Sequence, residues 1–236
     1  MTKLPKAVLL DFYGTLVLED SGPIYNICAE IARTASKPAT ADEVFSEWSR
    51  IFHDLCLNSY NETFELEREL EKKTARTLIK NYGADFKKNE WVEVLYEHWK
   101  EPPIFPETRE VLSKCRVPVC IVSNIDNDAL SGAMEFNRLS FDMIITSEDI
   151  RSYKPRPEMF DAAFKLLGMK PDEVLHVGDS LFTDVRGAKS YGIPALWINN
   201  RPGSKKPTEY IPDYTSPNLR ILPDILDGKI PFGKKS

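Results

Sequence analysis

Four short stretches carry side chains that could do chemistry together. The first is Asp11-Phe12-Tyr13-Gly14-Thr15, a carboxylate, a glycine and a hydroxyl that follow the apolar run Ala7-Val8-Leu9-Leu10. The second is Ser123-Asn124, the third is Lys154 within Ser152-Tyr153-Lys154-Pro155-Arg156-Pro157, and the fourth is Gly178-Asp179-Ser180 with Asp184 five residues beyond Asp179. If they converge, a carboxylate nucleophile, a hydroxyl, an ammonium and two further carboxylates share one site. Carboxylates gathered in one place repel each other unless a cation joins them, and an oxygen-only ligand set favours Mg²⁺. Mg²⁺ with Lys154 would bind a phosphoryl group and neutralise charge as it transfers, while Asp11 attacks phosphorus to form an aspartyl-phosphate.

Convergence needs a scaffold that delivers strand ends to one edge. Residues 7–10 are continuously apolar, as a strand buried on both faces should be, and residues 117–122, 141–146, 174–177 and 195–198 read as further strands. Helical patterns separate them at 106–115, with Pro106 at the first position, at 128–136, at 157–167 before Gly168, and at 184–191 before Gly192. Strands alternating with helices at this spacing predict an α/β fold with a doubly wound parallel sheet, which places chemistry at the carboxyl ends of its strands.

Between the first and second strands lie four helical patterns and no strand. Residues 23–33 carry Ile24, Ile27, Cys28 and Ile31 at helical spacing. Thr40 and Glu43 have capping-box spacing and open a helix with Val44, Phe45, Trp48, Ile51, Phe52 and Leu55 on one face. A third helix covers 62–82, with Gly83 as its C-cap, and a fourth covers 90–100, with Trp91, Leu95 and Trp99 at four-residue spacing. The expected organisation is a helical subdomain over residues 18–103, inserted into an α/β core of residues 1–17 and 104–236. Pro102-Pro103 marks the return, and an apolar patch at 219–226 is expected to dock the tail on the core.

The formal charge of −5 gives no basic footprint, which argues against nucleic acid or an anionic membrane surface as partner. No apolar run approaches membrane-spanning length, and the N-terminus lacks the apolar core of a signal peptide. Cys28, Cys56, Cys115 and Cys120 are scattered without CxxC spacing and read as buried free thiols, consistent with a reducing, cytoplasmic compartment. His176 falls inside a strand and reads as a core imidazole, while His53 and His98 fall on helices of the insertion, where packing roles are expected.

The ordered set Asp11-Phe12-Tyr13-Gly14-Thr15-Leu16, Val122-Ser123-Asn124, Lys154-Pro155-Arg156-Pro157 and Gly178-Asp179-Ser180 with Asp184 resembles the four motifs of the haloacid dehalogenase (HAD) superfamily. The helical insertion resembles the mobile cap of one subclass of that superfamily. The resemblance implies a Rossmann-like core with a helical cap and carries roles to matching positions. Asp11 becomes the nucleophile, Ser123 binds the transferring group and Lys154 balances charge. Asp11, Asp179, Asp184 and the backbone carbonyl of Tyr13 face Mg²⁺, and Thr15 and Asn124 contact a small anionic substrate.

One position departs from the phosphatase pattern. Phosphatases of the superfamily carry a second aspartate two residues after the nucleophile as general acid and base, and Tyr13 occupies that place. A phenol with pKa near ~10 is a poor base at neutral pH, and losing acid–base help costs about 10² to 10⁴ in rate. The dehalogenases of the superfamily have tyrosine there, because halide leaves without protonation. They also use no metal and carry serine and asparagine where this chain keeps Asp179 and Asp184. They need a cap arginine for the substrate carboxylate, for which Arg50 is the candidate. The retained carboxylates outweigh the lost acid, so the expectation is a Mg²⁺-dependent hydrolase of a small phosphorylated substrate. The alternatives are a metal-independent 2-haloacid dehalogenase and a low-turnover binding or regulatory protein.

Overall fold

The computed structural model describes residues 4–19, 21–86, 91–200 and 209–232. The first strand, β1 (Ala7–Leu10), is buried at every position. The chain then crosses into α1 (Gly22–Thr34), α2 (Ala41–Asn58), a single 3₁₀ turn at Asn61–Thr63, α3 (Glu67–Tyr82) and α4 (Trp91–Lys100). It continues through α5 (Thr108–Lys114), β2 (Val119–Ser123), α6 (Asn127–Phe136), β3 (Met143–Thr146), α7 (Ser147–Ile150), α8 (Pro157–Leu167) and β4 (Val174–Gly178). A widened, π-type turn at Leu181–Val185 leads into α9 (Arg186–Ser190), β5 (Ala195–Ile198), β6 (Tyr214–Ser216) and α10 (Leu222–Leu226).

The six strands form one sheet in the order β3-β2-β1-β4-β5-β6, and every pair is parallel. Strand order reverses between β1 and β4, where Leu9 stands between Cys120 and His176. In such sheets the crevice outside the carboxyl ends at the reversal takes the ligand. Burial of alternate residues on opposite faces explains why the central strands are mostly apolar. Val8, Leu10, Ile121, Leu175, Val177 and Leu196 face one layer, while Ala7, Leu9, Cys120, Val122 and Val174 face the other. The first layer is closed by α4, α5, α6 and α10, the second by α8 and α9. Leu219, Leu222 and Ile225 are fully buried in the first layer, so the tail docks as its apolar pattern predicts.

The insertion has a core of its own, built from Ile27, Cys28, Ile31, Val44, Trp48, Ala75 and Leu78. The chain leaves and returns side by side. Val17 pairs antiparallel with Ile104, the Leu18 amide donates to the Pro103 carbonyl at 2.7 Å, and the Phe105 amide donates to the Leu16 carbonyl at 3.1 Å. The last helix of the insertion, α4, turns Leu95, Tyr96 and Trp99 into the α/β core rather than into the other three helices.

Local signals set most boundaries, and tertiary contacts set the exceptions. Thr40 and Glu43 form the expected capping box, and Gly83 and Gly168 take left-handed conformations as C-caps. The expected helix at 62–82 begins only at Glu67. Its first amides, Glu67 N and Arg68 N, donate to the carboxylate of Asp126 at 2.8 and 3.3 Å, so a residue 59 positions away caps it. The expected helix at 184–191 is instead the π-type turn followed by α9, and β6 was not anticipated from its three-residue, largely polar sequence. The first residue of the fourth expected helix, Glu90, lies outside the described residues.

Candidate active site

The site assembles at the carboxyl ends of β1, β2 and β4. The Asp11 amide donates to the Val177 carbonyl at 2.9 Å, which holds the first residue after β1 against β4. Gly14 then turns the chain with φ +77°, and a Cβ there would lie 2.6 Å from the Asp179 carboxylate. Only glycine allows that approach. Gly178 is constrained in the same way, since a Cβ would overlap the Asp184 carboxyl group. Gly14 therefore lets the β1 loop meet the β4 loop, and Gly178 lets the end of β4 pack against the turn that carries Asp184. Trp197 Nε1 donates to the Asp179 carbonyl at 2.8 Å and Asn200 Nδ2 to the Gly14 carbonyl at 2.7 Å, which fixes both loops from β5 and the residues after it.

Lys154 links the two central carboxylates. Its Nζ lies 2.8 Å from Asp11 Oδ1 and 2.6 Å from Asp184 Oδ1, with the lysine 2% exposed. The lysine is itself held by Asn124, whose Oδ1 accepts from the Lys154 amide at 2.7 Å and whose Nδ2 donates to the Lys154 carbonyl at 3.0 Å. Thr15 Oγ1 donates to Asp11 Oδ2 at 3.1 Å. Asp184 also accepts from the Ser180 amide at 3.0 Å and stands 3.1 Å from His176 Nε2.

Charge in this enclosed site is finely balanced. Burial raises the Asp11 carboxyl most strongly, Lys154 opposes it and Asp184 adds to it, leaving a pKa of about 7. Burial would also raise Asp184, but the Lys154 charge and the His176 contact hold it well below the usual carboxylate range. Burial would deprotonate Lys154, yet the two carboxylates beside it keep it protonated and push its pKa above the ordinary value. Burial pushes the His176 imidazole down from its ordinary value.

Asp11, Asp179 and Asp184 are, among the described residues, the one group of three or more acidic, histidine or cysteine side chains with ligand atoms all within 4.8 Å of one another. The donors are all carboxylate oxygens, and the ammonium of Lys154 leaves their charge only partly neutralised. A hard divalent cation such as Mg²⁺ fits both the ligand chemistry and the charge deficit.

A cavity of about 780 Å³ opens above these groups, within the size range of small-molecule sites. Asp11, Ser123, Asn124, Lys154, Asp179 and Asp184 contribute its core side, and Phe45, Trp48, Phe52, His53, Glu67 and Glu71 its cap side. His53 and Phe182 stack across the two sides, with ring centroids 5.1 Å apart. Lys154 is the one lysine or arginine among the described residues that line it.

Two expected site residues stand differently. The Tyr13 hydroxyl is engaged by backbone, donating to the Trp99 carbonyl at 2.6 Å, and burial followed by the Glu67 charge raises its pKa strongly. The structure does not bring Arg50 to the cavity. α2 turns Trp48, Ser49, Phe52 and His53 inward, and Arg50 lies on the opposite, solvent-facing side with Asp54 at 3.3 Å and Glu47 at 3.8 Å. Sequence reasoning missed Glu67, Glu71 and Asp126. The first two sit among the many charges of an otherwise ordinary helix, and only the position of α3 over the cavity distinguishes them.

Comparison with known proteins agrees with this fold. The chain is 25% identical over 222 residues to (S)-2-haloacid dehalogenase 4A of Burkholderia cepacia, a match that covers 88% of each chain. Its fold superposes on L-2-haloacid dehalogenase from Xanthobacter autotrophicus with a TM-score of 0.73 at 20% identity, covering 96% of this chain and 100% of the other. It superposes on an HAD phosphatase from Thermococcus onnurineus with a TM-score of 0.61 at 27% identity, covering 94% and 98%. A family profile described as haloacid dehalogenase-like hydrolase matches residues 5–192, and the chain belongs to that hydrolase family.

Proposed function

We propose that this hydrolase is a Mg²⁺-dependent phosphatase of small phosphomonoesters, working through an aspartyl-phosphate on Asp11. The observation that carries the reading is the convergence of Asp179 with Asp11 and Asp184 within 4.8 Å. Without a divalent cation, three carboxylates facing one ammonium would repel any anionic substrate, whether a phosphate or a 2-haloacid. A 2-haloacid would also need a cation for its own carboxylate, and Arg50 points away from the cavity.

In this reading Lys154 and Asp184 orient the Asp11 carboxylate so that one oxygen attacks phosphorus in line with the leaving oxygen. Ser123, buried at the end of β2, hydrogen-bonds the phosphoryl oxygens, and Lys154 offsets the charge gathering on them. Asn124 keeps the lysine in place, and Thr15 keeps Asp11 in its rotamer. Asp11, Asp179 and Asp184 would hold Mg²⁺, which would supply the remaining positive charge for phosphoryl transfer. No carboxylate follows Asp11 at the second position, so the departing oxygen takes its proton from water. Phenolic esters, whose leaving groups need no proton, are therefore the faster substrates. Residues 18–103 act as the cap that closes over the cavity, with the His53–Phe182 stack as one point of closure. The four unpaired cysteines fit a reducing, cytoplasmic setting.

The experiment is phosphate release from p-nitrophenyl phosphate with Mg²⁺ and with EDTA, run beside halide release from 2-chloropropionate. The reading requires phosphate release that EDTA abolishes.

A further inference from the structure

Glu67 and Glu71 stand one helical turn apart on α3, and both line the cavity that contains Asp11. Glu71 is only 2% exposed. The Oε2 atoms of both glutamates are shut off from solvent, and among the described residues neither has a hydrogen-bond partner. Buried oxygens left unpaired are costly and uncommon in folded proteins, so a pair of them on a cavity wall points to a ligand with donors.

Their surroundings define that ligand's charge. The neighbouring carboxylate, Asp126, is already satisfied by Glu67 N at 2.8 Å, Arg68 N at 3.3 Å, Arg68 Nε at 3.1 Å and the Tyr96 hydroxyl. Arg68, a cation next to the pair on α3, is thus committed to Asp126. Burial and the Asp126 charge raise Glu71 to about 8, and burial with the Glu71 charge raises Glu67. Both groups are therefore short of positive charge. A bare metal ion does not suit them, because among the described residues no third acidic, histidine or cysteine side chain joins the pair within 4.8 Å, as Asp179 joins Asp11 and Asp184. Trp48, Phe52 and Trp99 line the same cavity, and aromatic faces favour an organic cation.

We propose that Glu67 and Glu71 form a subsite for a substrate ammonium group, so that the substrate is a small phosphomonoester bearing a primary amine. This rests on the phosphatase reading and adds the group that the cap recognises. The phosphate sits at Lys154 and the metal carboxylates, and the amine reaches the acidic wall of α3. The three N–H donors of an ammonium satisfy the unpaired oxygens, and its charge draws the glutamates into their ionised forms.

The test compares O-phosphoethanolamine with 2-hydroxyethyl phosphate, which differ in ammonium against hydroxyl, and includes p-nitrophenyl phosphate as a general phosphatase substrate. All three are assayed with Mg²⁺. Charge-assisted hydrogen bonds at a buried site predict a kcat/KM at least ~10-fold higher for the amine. Glu71→Gln and Glu67→Gln should each draw that ratio toward one. A wild-type ratio near one, or a preference that survives both substitutions, overturns the subsite while hydrolysis of p-nitrophenyl phosphate leaves the phosphatase reading intact. No hydrolysis of p-nitrophenyl phosphate overturns both. The wild-type ratio needs no variant, so the proposal remains falsifiable if a substitution unfolds the chain.

Discussion

The hydroxyl of Tyr13 donates to the backbone carbonyl of Trp99 at 2.6 Å and to that of Ala129 at 3.2 Å. The side chain two residues beyond the nucleophile therefore ties the β1 loop to α4 and α6. Its ring packs edge-on against Phe12 and Trp99, with centroids 5.3 and 5.7 Å away. A phenol so bound, with its pKa pushed up by burial, is a structural pin rather than a proton carrier.

Tyr13→Phe should act accordingly. Removing the hydroxyl leaves the buried Trp99 carbonyl short of its donor, at a cost of about 1–3 kcal/mol in denaturant unfolding. The fall in kcat should stay well below the about 10²-fold that marks loss of a general acid or base. A larger fall, accompanied by a change in the pH dependence of kcat relative to the wild type, would restore an acid–base role to Tyr13.

Lys154 carries a different burden, since it bridges Asp11 and Asp184. Lys154→Met should destabilise the chain by about 3–5 kcal/mol, the usual result of removing one partner from a buried ionic group. Added Mg²⁺ should raise the Tm of this variant more than that of the wild type, because the carboxylates then have no other cation. Equal Mg²⁺ shifts, read by thermal denaturation, would contradict the shared site.

Glu71 predicts a pH dependence of stability. Its folded-state pKa is raised to about 8 by burial and by Asp126, whereas the unfolded group titrates near ~4.3. The folded chain thus holds a proton that the unfolded chain releases, so this contribution is full below the unfolded value and fades as pH rises toward 8. Glu71→Gln should raise Tm more at pH 8 than at pH 5. An equal change at both pH values would place Glu71 in a more polar setting than its burial implies.

Legibility of the fold and the site followed the range of the physical signals. Buried parallel strands declare themselves by apolar runs, unbroken in Ala7–Leu10 and interrupted by His176 in Val174–Gly178, so both could be read locally, and the polar residues at their ends marked the crevice. Asp11, Lys154, Asp179 and Asp184 were legible because each follows such an element. Long-range contacts were not. The start of α3 depends on the Asp126 carboxylate, and the three residues of β6 gain strand character only by pairing with β5. Arg50 was one position off a face that helical periodicity alone leaves loosely phased, and the rotation of α2 decided which side met the cavity. Glu71 looked like any helical surface carboxylate until α3 was seated over the site.

If Asp179 completes a metal site for phosphoryl transfer with Asp11 and Asp184, phosphate release from p-nitrophenyl phosphate across a Mg²⁺ titration must depend on it, and the wild type and Asp179→Asn are compared in that assay. The wild type should lose activity in EDTA and regain it with excess Mg²⁺. Asp179→Asn should lower kcat/KM by about 10²-fold or more, in keeping with the several kcal/mol a catalytic metal supplies. Halide release from 2-chloropropionate that EDTA leaves untouched, with no phosphate released at any Mg²⁺ concentration, would contradict the account.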